Sequence, residues 1–118
     1  MSFSFDNNIP IYIQLAEKLK IEIISGKLTT GERLLSVRDL AFNYKVNPST
    51  MQRALTELEE IGLIFTERTN GKFVTEDKGL VLKYKKQYAD SLVNNFFKSM
   101  SDIGFSKQDA INFLKEEE

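Results

Sequence analysis

Apolar residues near the start of the chain repeat with the period of an α-helix. Five of them share the spacing of one buried helix face: Tyr12, Leu15, Ala16, Leu19 and Ile23. Pro10 suits the first position of such a helix, because its missing N–H would have no partner there. Gly26 ends the pattern, which therefore predicts a first helix from Pro10 to about Ser25.

Two shorter amphipathic segments follow, separated by a sharp break. Ser36, with Asp39 three residues later, predicts the capped start of a second helix. Its inner face comprises Val37, Leu40, Ala41 and Tyr44. Pro48 disfavours helical backbone at Asn47 and fits the first turn of a new helix, so Asn47 is the predicted N-cap of a third helix that runs to Gly62. The inner face of this helix comprises Met51, Ala54, Leu55, Leu58 and Ile61.

Beyond the third helix the pattern changes to that of short strands. Leu63 to Arg68 and Lys72 to Thr75 are rich in β-branched and aromatic residues. Between them, Asn70-Gly71 is a strong signal for a two-residue hairpin turn, although such a turn is more often ordinary than functional. Residues 64 to 75 are therefore predicted to form a small β wing.

The last third of the chain predicts two more helices. Asp77-Lys78-Gly79 is the expected joint, after which a wide apolar stripe indicates a helix of about 20 residues. The stripe comprises Val81, Tyr84, Tyr88, Leu92, Phe96 and Met100, flanked by Leu82, Ala89, Val93 and Phe97. Gly104 interrupts this helix, and Ser106 with Asp109 has the form of a capping box that opens the final one.

These elements predict a mainly α fold with a small β wing. Two short helices joined by a tight break, followed by a hairpin, are typical of a winged helix-turn-helix domain, here at residues 1–77. Residues 78–118 then form a two-helix C-terminal dimerisation segment, because its stripe is too apolar to remain in water. The predicted contacts are Tyr84, Tyr88, Leu92, Phe96, Phe97 and Met100. The alternative is that the stripe packs against the first helix of the same chain.

The outer face of the third helix has the composition of a DNA-reading surface. Its hydrogen-bonding side chains include no carboxylate in the first two turns, where a helix in the major groove meets base edges: Ser49, Gln52, Arg53 and Thr56. From Arg33 to Thr56 there are four basic residues and one acidic residue, an excess of +3 in a chain whose net charge is −1. The alternatives are a plain core helix and, for Arg53, an intrahelical ion pair with Glu57.

Composition excludes several other classes of protein. The chain is 42% hydrophobic and 28% charged, as soluble domains are, and no apolar run reaches the roughly 20 residues of a membrane span. Residues 1–6 lack the features of a signal peptide, so we expect a cytoplasmic protein. Cysteine and histidine are absent, which removes thiolate and imidazole catalysis and the usual zinc ligands. We therefore expect no enzyme, metal or cofactor, with carboxylate-only metal catalysis the one formal alternative.

Four blocks of sequence, in order, resemble the GntR family of bacterial transcription factors. They are Gly31 to Ala41, Val46 to Leu55, Leu58 to Ile64 and Gly71 to Val74. The opening Pro10 to Leu15, the Val-Asn-Pro form of the turn and the short C-terminal part resemble the YtrA-type subfamily in particular. The resemblance covers roughly residues 3 to 77. Pro48 departs from the arginine that many relatives outside this subfamily carry.

The resemblance implies a homodimeric, operator-binding regulator, expected to be a repressor that binds an inverted repeat. It implies DNA contacts by Arg38, Asn47, Ser49, Thr50, Gln52, Asn70 and Gly71, and the residues themselves add Arg53 and Lys72. Only 39 residues follow Gly79, and two helices cannot enclose an effector pocket of roughly 300 Å³ in one subunit. A small-molecule effector at the dimer interface remains an option. The alternative function is a winged-helix module for protein interaction.

Overall fold

The computed structural model describes residues 4–117, so predictions for Met1 to Phe3 and for Glu118 lie outside the described residues. Its order of elements confirms the predicted mainly α fold with a small wing. The elements are α1 (Ile11–Ile24), α2 (Val37–Tyr44), α3 (Pro48–Glu60), β1 (Ile64–Glu67), β2 (Gly71–Val74), α4 (Lys78–Asp102) and α5 (Lys107–Glu116). The chain forms two compact units, which divide between Leu82 and Lys83.

The core of the first unit is built from one face of each of its three helices and from the strands. Its largest fully buried side chains are Leu15, Ile23, Met51, Leu55, Leu58, Leu63 and Val74. Pro10 is the N-cap of α1 rather than its first residue as predicted, because its ψ of 137° is extended. Its carbonyl oxygen accepts from the N–H of Ile13 at 3.2 Å, and so starts the helix. Gly26, at a φ of +85°, follows the helix end.

The turn between α2 and α3 occupies three residues. The Ser36 hydroxyl accepts from the N–H of Asp39 at 3.1 Å and caps α2 as predicted. Lys45 ends this helix in the left-handed conformation, with φ 57° and ψ 46°. Asn47 is extended, and its side chain accepts from the N–H of Ser49 at the start of α3. The predicted break and both N-caps are therefore present.

The wing differs from the prediction at its tip. Ile64 pairs with Val74 and Glu67 pairs with Gly71, so residues 68–70 connect the strands and the predicted two-residue turn at Asn70-Gly71 is wrong. The N–H of Asn70 donates to the carbonyl oxygen of Glu67 at 3.3 Å. This turn leaves Gly71, already in β2, to take the positive φ of +97°, as is usual in longer hairpin loops.

Residues 32–34 add a short third piece of backbone beside β2. The N–H of Leu34 donates to the carbonyl oxygen of Lys72, and the N–H of Val74 donates to that of Glu32, both at 2.8 Å. Arg33 and Phe73 therefore form an antiparallel bridge. The segment before α2, which the sequence pattern leaves as a loop, is fixed to the wing.

The C-terminal helices begin and end close to the predicted positions. Lys78 and Gly79, predicted as part of a joint, are the first residues of α4. The carboxylate of Asp77, just before the helix, accepts from the N–H of Leu80 at 3.0 Å. α4 has 25 residues, more than predicted, and none of them is buried. Ser106 and Asp109 form the predicted capping box of α5, and Ala110 is the buried residue of this helix.

Candidate nucleic-acid interface

The outer face of α3 presents polar side chains to solvent. Its 3.6-residue period places Met51, Ala54, Leu55 and Leu58 in the core and leaves the opposite side open. Of the predicted contact residues, Ser49, Gln52 and Arg53 are exposed and Thr50 is half-buried. At the start of the helix, Asn47 Oδ1 accepts from the hydroxyl of Ser49 at 3.2 Å. The helix N-terminus thus carries two exposed polar side chains beside backbone N–H groups, which favour anions.

Gln52 and Thr56 form a pair along this exposed face. Gln52 Nε2 donates to Thr56 Oγ1 at 3.3 Å, and Thr56 Oγ1 donates to the Gln52 carbonyl oxygen at 2.9 Å. Both residues are exposed, so the amide–hydroxyl bond competes with water and adds little to stability. A hydrogen bond from Gln52 to a base edge can therefore replace the bond to Thr56 with little loss of free energy.

Arg53 is held by an aromatic ring from α1. Its guanidinium carbon lies 3.8 Å from the ring centroid of Tyr12, which is the distance of a direct cation–π stack. Within residues 4–117, no ion pair joins Arg53 to Glu57, the alternative that the sequence leaves open. Sequence reasoning assigned Tyr12 to the core, but its place in the first turn of α1 and its half-burial give it this second role.

The wing residues differ in how they are engaged. Asn70 and Gly71 are exposed, and Asn70 Nδ2 donates to the Glu67 carboxylate at 3.0 Å. Lys72 is half-buried, and its ammonium donates to Glu59 Oε1 of α3 and, at 2.9 Å, to Thr66 Oγ1. Lys72 therefore links the wing to α3, and it is also a predicted DNA contact.

The carboxylate of Glu59 is kept ionised by this contact. Burial raises the pKa of Glu59, but the hydrogen bonds from Lys72 and Thr66 and the positive charge of Lys72 outweigh it, and the pKa is lowered from 4.5. The ion pair leaves 15% of the Lys72 side chain and 30% of the Glu59 side chain exposed. It is a partly shielded pair, which solvent weakens less than a fully exposed one.

Two arginines flank the predicted interface. Arg38 is the second residue of α2 and is exposed. Arg33, also exposed, lies beside the wing, with its guanidinium Nε 3.7 Å from the point where a Cβ on Gly71 would stand. Sequence reasoning counted Arg33 only toward the local charge. Its place beside the wing follows from the bridge to Phe73, a long-range contact that no local sequence pattern indicates.

The predicted dimerisation residues lie on α4 with little cover. Five are half-buried: Tyr84, Tyr88, Phe96, Phe97 and Met100. Leu92 is 55% exposed and Val93 beside it is 50% exposed. The Lys107 ammonium lies 5.2 Å from the ring centroid of Phe97. Apolar side chains grouped along one helix in this way are typical of an interaction surface.

The first unit also contains a cavity of about 560 Å³ between α1, residues 27–35 and α2. In its wall, the Tyr44 hydroxyl donates to Glu22 Oε2 at 3.5 Å. Burial, with the negative charge of Glu22 and this hydrogen bond, raises the pKa of Tyr44 to about 12. Among the described residues, no cluster of acidic side chains is suited to a metal ion, and no helix is long and apolar enough to cross a membrane.

Comparison with known proteins identifies the family of this domain. Residues 11–74 match the family described as "Bacterial regulatory proteins, gntR family". The chain belongs to the GntR family. The match extends from the start of α1 to the end of β2, so the GntR domain contains all nine predicted DNA contacts. DNA-binding transcription regulation is the activity of this family.

Two curated relatives extend the comparison. The chain is 32% identical to YhcF of Bacillus subtilis, an uncharacterized HTH-type transcriptional regulator, over 115 residues, which are 98% of this chain and 95% of YhcF. It is 37% identical to YtrA of the same species, an HTH-type transcriptional repressor, over 71 residues, 60% of this chain and 55% of YtrA. The second match supports the resemblance to the YtrA-type subfamily. Both relatives are named as transcriptional regulators, not as enzymes.

Two solved structures are similar to this chain, one over nearly its whole length and one over about two thirds of it. A GntR family transcriptional regulator from Listeria monocytogenes has a TM-score of 0.87 and 42% identity, over 95% of this chain and 98% of that chain. The DNA-binding domain of AraR in complex with operator ORR3 has a TM-score of 0.55 and 24% identity, over 64% of this chain and 88% of that chain. The latter shows the likeness of fold alone.

Proposed function

We propose that the protein is a homodimeric repressor that binds an inverted-repeat operator through α3 and the wing. The observation that carries this proposal is the exposed face of α3, which begins at the Asn47 cap and offers no carboxylate before Glu57. A DNA-reading helix needs this combination of free hydrogen-bonding groups and absent negative charge. The AraR domain, similar in fold, is itself in complex with operator DNA, and YtrA is named a repressor.

Each predicted contact has a role that its chemistry supports. Asn47, Ser49 and Thr50, at the N-terminus of α3, suit phosphate oxygens. Gln52 suits the edge of adenine. Arg38 suits the phosphate backbone of the DNA or the edge of a guanine. At the wing, Asn70 and Lys72 flank Gly71. Gly71 allows the backbone to approach the neighbouring groove closely, because glycine has no side chain to obstruct it.

The exposed apolar strip of α4 supports assembly with a second copy of the chain. Leu82, Leu92 and Val93 each leave about half of their side chains in water, and burial of such surface stabilises an interface by about 25 cal/mol per Å². A two-fold dimer presents two copies of α3, so its operator is an inverted repeat with half-sites about one turn of DNA apart.

Replacement of Arg38 tests the proposed function. Arg38→Ala should weaken binding to a duplex selected by the wild type from a random pool by at least about tenfold, the cost of one specific arginine contact. The helical circular dichroism should not change, since Arg38 is exposed. Gel retardation at fixed salt measures the affinity, and Lys98→Ala on α4 is the control for loss of one charge.

Undiminished binding by Arg38→Ala would show that this residue does not contact the DNA.

Selection at two salt concentrations separates the proposed function from its alternative. DNA binding should fall by orders of magnitude between about 50 and 200 mM salt. A wild-type protein without salt-dependent affinity for any duplex would instead be a protein-interaction module.

A further inference from the structure

The stack of Arg53 on Tyr12 joins α3 to the first turn of α1. The guanidinium carbon is 3.8 Å from the ring centroid, so the cation lies directly over the face of the ring. Arg53 is exposed while Tyr12 is half-buried, and the ring is therefore the fixed partner. The stack selects one orientation for a side chain that otherwise samples many rotamers.

We propose that Tyr12 is a positioning residue, which holds the guanidinium of Arg53 so that its edge binds a backbone phosphate of duplex DNA. This inference rests on the proposed function. A guanidinium that is stacked through its face still has its N–H donors around its edge, and that edge matches two phosphate oxygens. Preorganisation by the ring lowers the entropy lost when the contact forms.

The surroundings of Arg53 favour a phosphate over other partners. Ser49, one turn earlier on α3, brings a hydroxyl to the same exposed face. Within residues 4–117, Arg53 takes part in no ion pair, so the chain itself supplies no carboxylate to neutralise it. The contact with Tyr12 places the guanidinium of Arg53 on the side of α3 that faces α1, and arginine contacts to phosphate oxygens position a protein on DNA without reading its sequence.

A purely structural role makes a different prediction. If the stack only fastens α1 to α3, its loss lowers stability and leaves the affinity of the folded protein for DNA unchanged. If it positions Arg53, its loss weakens binding and reduces the number of phosphates that are neutralised. The dependence of affinity on salt reports that number directly, and a change in stability alone does not move it.

The test uses the full chain and a duplex pool of random sequence, since a phosphate contact does not depend on base sequence. Affinity is measured between about 50 and 200 mM salt, below the thermal midpoint of every variant. Tyr12→Leu removes the ring, Tyr12→Phe keeps it, and Arg53→Met removes the cation. Lys98→Met is the matched control for one lost charge, because its side chain is 78% exposed on α4.

We expect Arg53→Met to reduce the salt slope by about one and Tyr12→Leu to weaken binding about two- to fivefold at low salt. Tyr12→Phe should bind as the wild type does. In the Arg53→Met background, Tyr12→Leu should have no further effect, because the ring acts through the arginine.

Three results would overturn the inference, each in a different way. If Tyr12→Leu lowers the thermal midpoint but leaves affinity and salt slope intact, the stack is only structural. If Arg53→Met binds as the wild type does, Arg53 makes no phosphate contact, although DNA binding stands. If the wild type shows no salt-dependent affinity for the pool, the proposed function fails together with the inference.

Discussion

Lys45 occupies a backbone conformation that its side chain disfavours. It is the one residue other than glycine with a positive φ within residues 4–117, and it ends α2 where glycine is usual. The left-handed conformation costs a residue with a Cβ about 1 kcal/mol relative to glycine. We expect Lys45→Gly to raise the free energy of unfolding by about 0.5 kcal/mol, after the larger chain entropy of unfolded glycine is subtracted.

Urea denaturation measures this effect, and Lys27→Gly provides a matched control. Lys27 is an exposed lysine whose φ is not positive. Glycine there adds entropy to the unfolded chain and removes the 3.6 Å ion pair with Glu22, and both effects should lower stability. Equal destabilisation by the two changes would show that the turn stores no strain at Lys45.

Single-residue features were predictable where the interaction is local in sequence. The caps at Ser36, Asn47 and Ser106 each depend on a residue two or three positions away, and the sequence pattern shows both partners. The contact of Tyr12 with Arg53 joins residues far apart in the chain. Periodicity places each on a helix face but cannot indicate which other helix lies beside it.

At the scale of elements, the bond between Lys72 and Glu59 fastens the wing to α3. Lys72→Met keeps most of the apolar stem and removes the cation, so Glu59 loses its partner. We expect the free energy of unfolding to fall by about 0.5–1 kcal/mol at neutral pH, the range of a partly solvated ion pair. Lys98→Met, which removes the exposed pair with Asp102, should have a smaller effect.

The pH dependence of this difference follows from the lowered pKa of Glu59. The pKa is lower in the folded protein than the ordinary glutamate value of 4.5, so the folded state binds this proton less tightly than the unfolded chain does. The stabilisation is complete above pH 4.5 and is lost as the pH falls below that value. The wild type and Lys72→Met should converge in acid, as measured by thermal unfolding, and a constant difference would exclude Glu59 as the partner.

The wing also shows where element prediction fails. Two strands with a glycine between them indicate a hairpin, but the choice between a two-residue and a longer turn depends on register. In the structure, register is set by the pairing of Ile64 with Val74 and by the bridge from Arg33 to Phe73. The second of these is a long-range contact that no local pattern announces. The predicted element types were therefore right and the predicted turn was wrong.

At the scale of the whole molecule, the division into two compact units separates the predicted DNA contacts from most of the apolar strip. The GntR domain folds around its own core, whereas no residue of α4 is buried. The strip was predictable from the sequence, because its apolar residues repeat with the period of a helix and together form one wide face. The proposed cover is a second copy of the chain, and no pattern within one chain specifies the contacts of such an interface.

Leu92 and Val93 allow the proposed dimer to be tested without change to the GntR domain. Their side chains are 55% and 50% exposed, so a carboxylate is tolerated in the single chain but not in an interface that excludes water. We expect the double variant Leu92→Glu/Val93→Glu to sediment as a monomer. Its affinity for an inverted repeat should fall about a hundredfold or more, because the second half-site no longer binds at high effective concentration.

Affinity for a single half-site separates loss of assembly from loss of the DNA surface. The double variant should bind one half-site as the wild type does, since the residues of α3 and the wing are unchanged. Gln87→Glu is the control, because it adds a carboxylate at an exposed polar position of the same helix and should remain dimeric. A double variant that is still a tight dimer would place the subunit interface elsewhere in the chain. That other interface would then have to position the two copies of α3 on the inverted repeat.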